Sequence, residues 1–346
     1  VARAAGECRF RLTLAQLATI VSSVPEREPL NQKVKRLVSL NRPIPRGAYE
    51  VLAPIEIAGG DRFALEHVCR AQVQPVYLGD HTAVCRILGR YKFFVDTRDH
   101  GFGVNLLLDG FWEMWLTMVM TRILKPGMTV VDIGANFGYY AVLFGDMIGP
   151  SGRLIAVEPN PAARTLLERS LGLNGLLART TVVAAAASST DVGSALFYVP
   201  TNEPKNALVL ADRSHANLEL GTLSEVPLWC LDKAVDSKQR IDLIKIDAEG
   251  AEEAILEGMR LTLQRHKPIL VLEYNPLRYT DPGALLDLLI SIYGFFHAIT
   301  FEGTLQPISK SEVMADHGGE DWLLYFSVDP KPAMQGQSEI KLRSLR

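Results

Sequence analysis

The stretch Val130-Val131-Asp132-Ile133-Gly134-Ala135-Asn136-Phe137-Gly138-Tyr139-Tyr140 constrains the fold more than any other part of the chain. A short β-branched run ends in an acid, passes through a turn punctuated by glycine and opens onto a helical pattern. A buried strand followed at once by a helix belongs to a layered α/β fold, where the turn carries the chain from the sheet onto one of its faces. Glycine stands where the backbone must come close to a ligand, since a side chain would block the approach. The related dinucleotide motif, G-x-G-x-x-G, admits a pyrophosphate to the helix N-terminus. Here the pattern is D-x-G-x-N-x-G, with Asn136 at the second glycine position and Asp132 on the last turn of the strand. A carboxylate there suits the ammonium of an amino-acid-like cofactor and would repel a pyrophosphate.

The next strand ends in Ala156-Val157-Glu158-Pro159-Asn160. It places Glu158 about twenty-five residues beyond the glycine turn, where an acid of a nucleotide-binding βαβ unit accepts both hydroxyl protons of a ribose. From Gly127 onward, strands are expected at Thr129–Ile133, Leu154–Glu158, Thr181–Ala186, Leu243–Asp247, Ile269–Glu273, Phe296–Phe301 and Trp322–Val328. Helices are expected at Gly138–Ile148, Pro161–Leu173, Ala251–His266 and Pro282–Tyr293. Such alternation predicts a doubly wound α/β fold, a mostly parallel seven-stranded sheet covered on both faces. The last two strands have no helix between them and form an antiparallel pair at the sheet edge, joined at Glu302-Gly303.

Domain boundaries follow from shifts in pattern. Residues 1–75 read as an N-terminal appendage with a helical stretch at Leu12–Val24 and scattered prolines. Residues 76–126 hold a hairpin, Thr82–Leu88 and Tyr91–Asp96 around Gly89-Arg90, and a helix at Leu106–Leu124 closed by Lys125-Pro126-Gly127. The main domain covers 127–330, with a β-ribbon insertion at 194–235 as a candidate lid or substrate wall, and 331–346 form a tail. Of the 346 residues, 48% are hydrophobic and the net charge is -3, so no global attraction to nucleic acid is expected. Residues 1–42 carry eight Lys or Arg against three Glu, a basic arm that reads as a solvated face. Cys8, Cys69, Cys85 and Cys230 are scattered without a C-x-x-C pair, as in a reducing compartment, and no apolar run is long enough to span a bilayer. A cytoplasmic location is the expectation.

With these motifs in order, the sequence resembles the FkbM family of S-adenosylmethionine-dependent methyltransferases over roughly residues 109–275. The words that carry the resemblance are Asp109-Gly110-Phe111-Trp112-Glu113, Val131–Tyr140, Glu158-Pro159-Asn160-Pro161, Asn206-Ala207 and Ile244-Lys245-Ile246-Asp247-Ala248-Glu249-Gly250-Ala251-Glu252. The resemblance implies a Rossmann-like methyltransferase fold, S-adenosylmethionine as cofactor with S-adenosylhomocysteine as product, and O-methylation of a sugar, glycan or other small natural product. It places Asp132, Gly134, Asn136 and Gly138 at the methionine end of the cofactor, Glu158 at the ribose and Asp247 at the reaction centre, and Ala135, Pro159 and Asn160 are counted with them as cofactor-binding residues.

Glu113 either reaches the cofactor from a covering helix or is an ordinary exposed carboxylate. Trp112 and Trp115, three apart, are expected to share one helical face, as core packing first and as a pocket wall second. Lys245, Asp247 and Glu249 alternate, so all three point to one face if the strand continues. They form either a structural ion pair or a functional group, with Asp247 beside the methyl donor and Lys245 or Glu249 orienting the acceptor. Asp247 and Glu273 are the candidate bases, because a carboxylate shielded from water has a raised pKa. Asp247, Glu273 and Asn275 could hold a divalent ion, but no dedicated acidic cluster backs them and no metal is assigned. His100 reads as a loop cap. Two other classes compete. A nicotinamide-dependent oxidoreductase is opposed by Asn136 and by the lack of a Tyr-x-x-x-Lys pair, and a scaffold that holds a cofactor without turnover is the other.

Overall fold

A computed structural model describes residues 51–210, 220–315 and 319–329. The basic arm, the Leu12–Val24 helix, Cys8 and the tail beyond 330 lie outside the described residues. The described part begins with helices Pro54–Gly59 and Arg62–Gln72, then strands β1 (Val76–Gly79), β2 (Thr82–Ile87) and β3 (Tyr91–Asp96) in an antiparallel sheet of order β1-β2-β3. The hairpin forms as expected, but its turn is Leu88-Gly89, one residue earlier than the Gly89-Arg90 break: both take positive φ, and the Arg90 N–H donates to the Ile87 carbonyl at 3.0 Å. The two N-terminal helices contribute Ile57, Leu65 and Cys69 to the same apolar core as β2, β3 and the helices that follow.

The expected helix over Leu106–Leu124 is two helices, Phe102–Asp109 and Met114–Ile123. Gly110, at φ 72, ends the first by donating its N–H to the Leu106 carbonyl, the usual left-handed glycine stop. Glu113 opens the second helix from a left-handed conformation of its own, φ 39 and ψ 63, which is costly for a side-chain-bearing residue and is found at functional sites. The break corrects the paired-tryptophan reading. Trp112 lies before the helix with its ring 5.1 Å from Phe102, while Trp115 packs at 5.0 Å on Phe301 with Arg62 over its other side.

The chain then alternates as expected: β4 (Thr129–Ile133), helix Tyr139–Met147, β5 (Arg153–Val157), helix Pro161–Leu173 and β6 (Thr180–Val183). The insertion follows, as the ribbon strands β7 (Ala186–Ala187), β8 (Ser194–Pro200), β9 (Leu208–Leu210) and β10 (Gly221–Trp229), ordered β7-β10-β8-β9. The core resumes with β11 (Leu243–Ile246), helices Glu252–Glu257 and Arg260–His266, β12 (Ile269–Tyr274), helix Pro282–Tyr293, β13 (Phe296–Ile299), β14 (Leu305–Pro307) and β15 (Trp322–Phe326). The single helix expected at Ala251–His266 breaks at Gly258, where a Cβ would sit 1.9 Å from the Ser188 carbonyl oxygen. Asp232 then caps the second piece, accepting from the Leu261 and Thr262 N–H groups at 2.8 Å each.

Among the described residues the main sheet has eight strands, one more than the expected seven, in the order β14-β13-β15-β12-β11-β4-β5-β6. Strands β6, β5, β4, β11 and β12 are parallel, and β15 runs antiparallel to both β12 and β13. The antiparallel edge strand is therefore β14, joined to β13 through Glu302-Gly303, while the final strand enters the sheet interior. Side chains of β15 explain this: Leu324, Tyr325 and Phe326 are all buried and need cover on both faces, whereas Leu-Gln-Pro of β14 tolerates the rim. Alternation along β4 sends Val130 to one core and Val131 with Ile133 to the other, so the sheet separates two apolar layers. No described helix is long and apolar enough to cross a membrane.

Candidate active site

A cleft lies over the carboxyl ends of β4, β5, β11 and β12. The central parallel strands place their loops here, the position at which an open α/β sheet takes its ligands. Gly134, Ala135, Asn136, Glu158, Pro159 and Asn160 line it on one side, and Glu113, Lys245, Asp247, Glu249 and Glu273 on the other. Sequence-distant segments thus meet as expected, with two exceptions. Asp132 and Gly138 do not reach the wall.

Gly138 is required by packing: a Cβ there would lie 2.5 Å from Leu167 Cδ1, so its absence lets two helices meet. Gly134, at φ +78, is required by the neighbouring strand, because a Cβ would lie 1.7 Å from the Asp247 carbonyl oxygen. The glycine in the turn thus allows the ends of β4 and β11 to converge, and Asp247 comes to the turn through its own backbone. Asn136 takes φ 51, a conformation asparagine tolerates better than most residues. This turns its N–H onto Glu158 Oε2 at 2.8 Å, while the Asn160 N–H reaches Glu158 Oε1 at 2.7 Å. The Glu158 carboxylate is therefore oriented by two main-chain donors, with lone pairs left on both oxygens. Burial pushes its pKa up to about 7 against the pull of those hydrogen bonds. Beyond it, Ala163, Ala186 and Ala187 form a small-residue apolar wall.

The other side is built from charge. Lys245 is buried, with Nζ 3.0 Å from Asp247 Oδ2 and 5.0 Å from the centre of the Tyr140 ring. Register pairs Lys245 with Asp132 across β11 and β4, so both side chains stand on the same face of the sheet. Asp132 is fully buried and neither carboxylate oxygen has a hydrogen-bond partner among the described residues. Burial raises its pKa to about 6, with Lys245 pulling it down. Burial disfavours the Lys245 charge in turn, but the Asp247 and Asp132 carboxylates hold its pKa above the ordinary lysine value. Glu113 accepts from the Tyr140 hydroxyl at 2.9 Å, and burial, then the Asp247 charge, push it up to about 7.

Carboxylate atoms of Asp247, Glu249 and Glu273 lie within 4.8 Å of one another. Crowding of like charge on top of burial raises Glu249 to about 7 and Glu273 further. Arg278 answers part of this negative charge, at 3.3 Å from Glu249, 3.2 Å from Glu273 and 3.1 Å from Asp321. Sequence reading missed Arg278, whose only signal was a lone cation three residues after Asn275. Asn275 itself turns away: its side chain caps a turn at the Leu277 N–H and donates to the Gly319 carbonyl and Asp321. His100 is exposed, and its backbone N–H donates to Asn202 of the insertion, while the neighbouring Asp99 caps the loop. Lys205, also missed, lines the cleft from the insertion with its ammonium 5.4 Å from the Trp112 ring centre. Cys69, Cys85 and Cys230 are buried free thiols away from the cleft.

A doubly wound sheet with a glycine turn, an acid ending the next strand and acids at the ends of the fourth and fifth parallel strands has the layout of a methyltransferase-type α/β fold. Residues 132–296 match the family model described as the methyltransferase FkbM domain. The methyltransferase sdnD of Sordaria araneosa is 28% identical over 156 residues, covering 38% of this chain and 60% of that protein. The AMB antimetabolite synthetase AmbE of Pseudomonas aeruginosa is 24% identical over 289 residues, 71% of this chain but 14% of that protein. The chain thus spans less than two thirds of either relative. A crystal structure of methyltransferase FkbM from Methylobacillus flagellatus superposes with a TM-score of 0.37 at 16% identity, over 64% of this chain and 52% of that one.

Proposed function

We propose that the chain transfers a methyl group from S-adenosylmethionine to a hydroxyl of a sugar, glycan or other small natural product. The observation that carries this reading is the division of one cleft into a main-chain-oriented Glu158 end and a carboxylate-rich Asp247 end. The residues present fit such a donor. Glu158 offers free lone pairs on both oxygens to a ribose, and Pro159, Ala163, Ala186 and Ala187 make a flat apolar slot for a base. Carboxylates crowded at Glu113, Asp247 and Glu249 favour a ligand that brings positive charge, and burial, then the Asp247 charge, raise both Glu113 and Glu249 to about 7. When bound, the donor supplies a methyl group on a sulfonium, which a hydroxyl oxygen displaces in line.

The chain contributes alignment, exclusion of water and a place for the hydroxyl proton. Lys245 holds Asp247 against the end of β4, where it can align the acceptor hydroxyl. Asp132 acts through Lys245 rather than by touching the ligand. Glu249, half-buried on the cleft wall and with a pKa near neutrality, takes the proton; Glu273, raised further, stays neutral beside it and keeps the pair from repelling. Arg278 bridges the two and fixes their separation.

Calorimetry with S-adenosylhomocysteine and transfer of labelled methyl from S-adenosylmethionine onto a panel of hydroxylated compounds test this. Binding with transfer is the expected result. Absence of binding would sink the cofactor assignment, and binding without transfer to any hydroxyl would leave a cofactor-holding scaffold.

A further inference from the structure

Resting on the reading that the cleft takes S-adenosylmethionine, we infer that Lys205 is the residue that recognises the carboxylate of the donor's amino-acid end. Lys205 sits in the turn Pro204–Asn206 of the insertion, far in sequence from every motif of the core. Its stem is laid on the main chain at Gly101: a Cβ there would lie 2.8 Å from Lys205 Cε and 3.1 Å from Cδ. Asn202, three residues earlier, accepts the His100 N–H at 3.1 Å, so the turn is anchored at a second point. The ammonium is delivered over the face of Trp112, on the cleft wall beside Glu113. Among the described residues no carboxylate pairs with it, whereas Lys245, the other cation on the wall, is bound to Asp247.

Position along the cleft decides what Lys205 reads. A donor with its ribose at Glu158 and its methyl group at Asp247 has one end still to place, and the rest of the lining includes Trp112, Glu113, Tyr140 and Lys205. Within this group Glu113 supplies a carboxylate and Lys205 an ammonium not bound to an acid among the described residues, the complement of an α-amino acid with its ammonium toward Glu113 and its carboxylate toward Lys205. The same zwitterion chemistry could be carried by an amino-acid acceptor, and the ligand set below separates the two sources. Because Lys205 belongs to the insertion, binding of the donor would also hold the ribbon over the cleft.

The test is calorimetry on the full chain and on Lys205→Met and Lys205→Arg, with three ligands. These are S-adenosylhomocysteine, its decarboxylated analogue and 5′-methylthioadenosine, which lacks the amino-acid end. Methionine keeps an apolar stem on Gly101, and an unchanged thermal midpoint shows that the variant folds. Lys205→Met is expected to weaken S-adenosylhomocysteine by about 10- to 100-fold, the range for a charge-assisted hydrogen bond. The other two ligands should be unaffected, and Lys205→Arg should restore most of the loss. Unchanged binding of S-adenosylhomocysteine, or equal loss of all three ligands, would overturn the assignment. So would unchanged binding together with a shift in acceptor preference away from anionic compounds, which would give the carboxylate to the acceptor. If the parent chain binds none of the three, the donor reading itself fails and takes this inference with it.

Discussion

At the Glu158 end of the cleft the main chain does the holding, whereas at the Asp247 end the work falls to side-chain charge. Glu158 is oriented by the Asn136 and Asn160 N–H groups, and Gly134 and Asn136 both take positive φ to bring strand ends and donors together. Around Asp247 the same task is done by Lys245, Glu113, Tyr140 and Arg278, drawn from four separate segments. The first kind of site is rigid because a backbone cannot move without moving its strand. The second is set by a balance of charges, and a bound cation or a change of pH can shift it.

The largest effect should come from breaking the junction between the two ends. Gly134→Ala puts a Cβ 1.7 Å from the Asp247 carbonyl oxygen in a left-handed conformation, and a loss of about 4 kcal/mol or more in chemical unfolding is expected. Next is the charge-built end. Lys245→Met leaves Asp132 buried with no compensating charge and Asp247 without its partner, at a cost of about 3 kcal/mol. Methyl transfer should fall further than stability alone explains, with folded protein verified by circular dichroism. If Lys245→Met retained full transfer, the ion pair would be merely structural.

Glu158→Gln tests the main-chain-built end, because an amide turns a donor toward one of two N–H groups. Weakening of S-adenosylhomocysteine by about 10- to 100-fold is expected in calorimetry. The mildest effect is that of pH on the unliganded chain. Asp132 is raised to about 6, and Glu113, Glu158 and Glu249 to about 7, so the native state keeps protons that the unfolded chain releases from about pH 4 upward. For these groups stability is fully present below the unfolded values, declines as pH rises toward 7 and levels off above it. Thermal midpoints at pH 5 and pH 8 read this directly. A cationic ligand favours the ionised carboxylates, so the affinity of S-adenosylmethionine relative to S-adenosylhomocysteine should increase across the same interval.

Much of the fold is legible because its signals are local. The ends of β4, of the helix Pro161–Leu173 and of the helix Pro282–Tyr293 coincide with the expected limits, each set by a short apolar run or by a Pro start. The break at Gly110–Glu113 was not legible, because a Gly within a helical pattern is tolerated as often as it stops one. The split at Gly258 arises from contact with Ser188, seventy residues upstream, and no window of sequence contains both.

By itself the sequence determined the doubly wound order of strands and helices, the D-x-G-x-N-x-G turn, the acid at Glu158 and the charged end of β11. These depend on period, turn chemistry and spacing along one stretch of chain. Only the tertiary structure decided that Gly134 serves Asp247, that Asp132 stands beside Lys245, that Glu113 and Lys205 line the same cleft, and that Arg278 pairs with Glu249 and Glu273. Those are meetings of side chains from distant segments. Their energies depend on burial and on distance between charges, which the packed fold creates and a linear pattern does not contain.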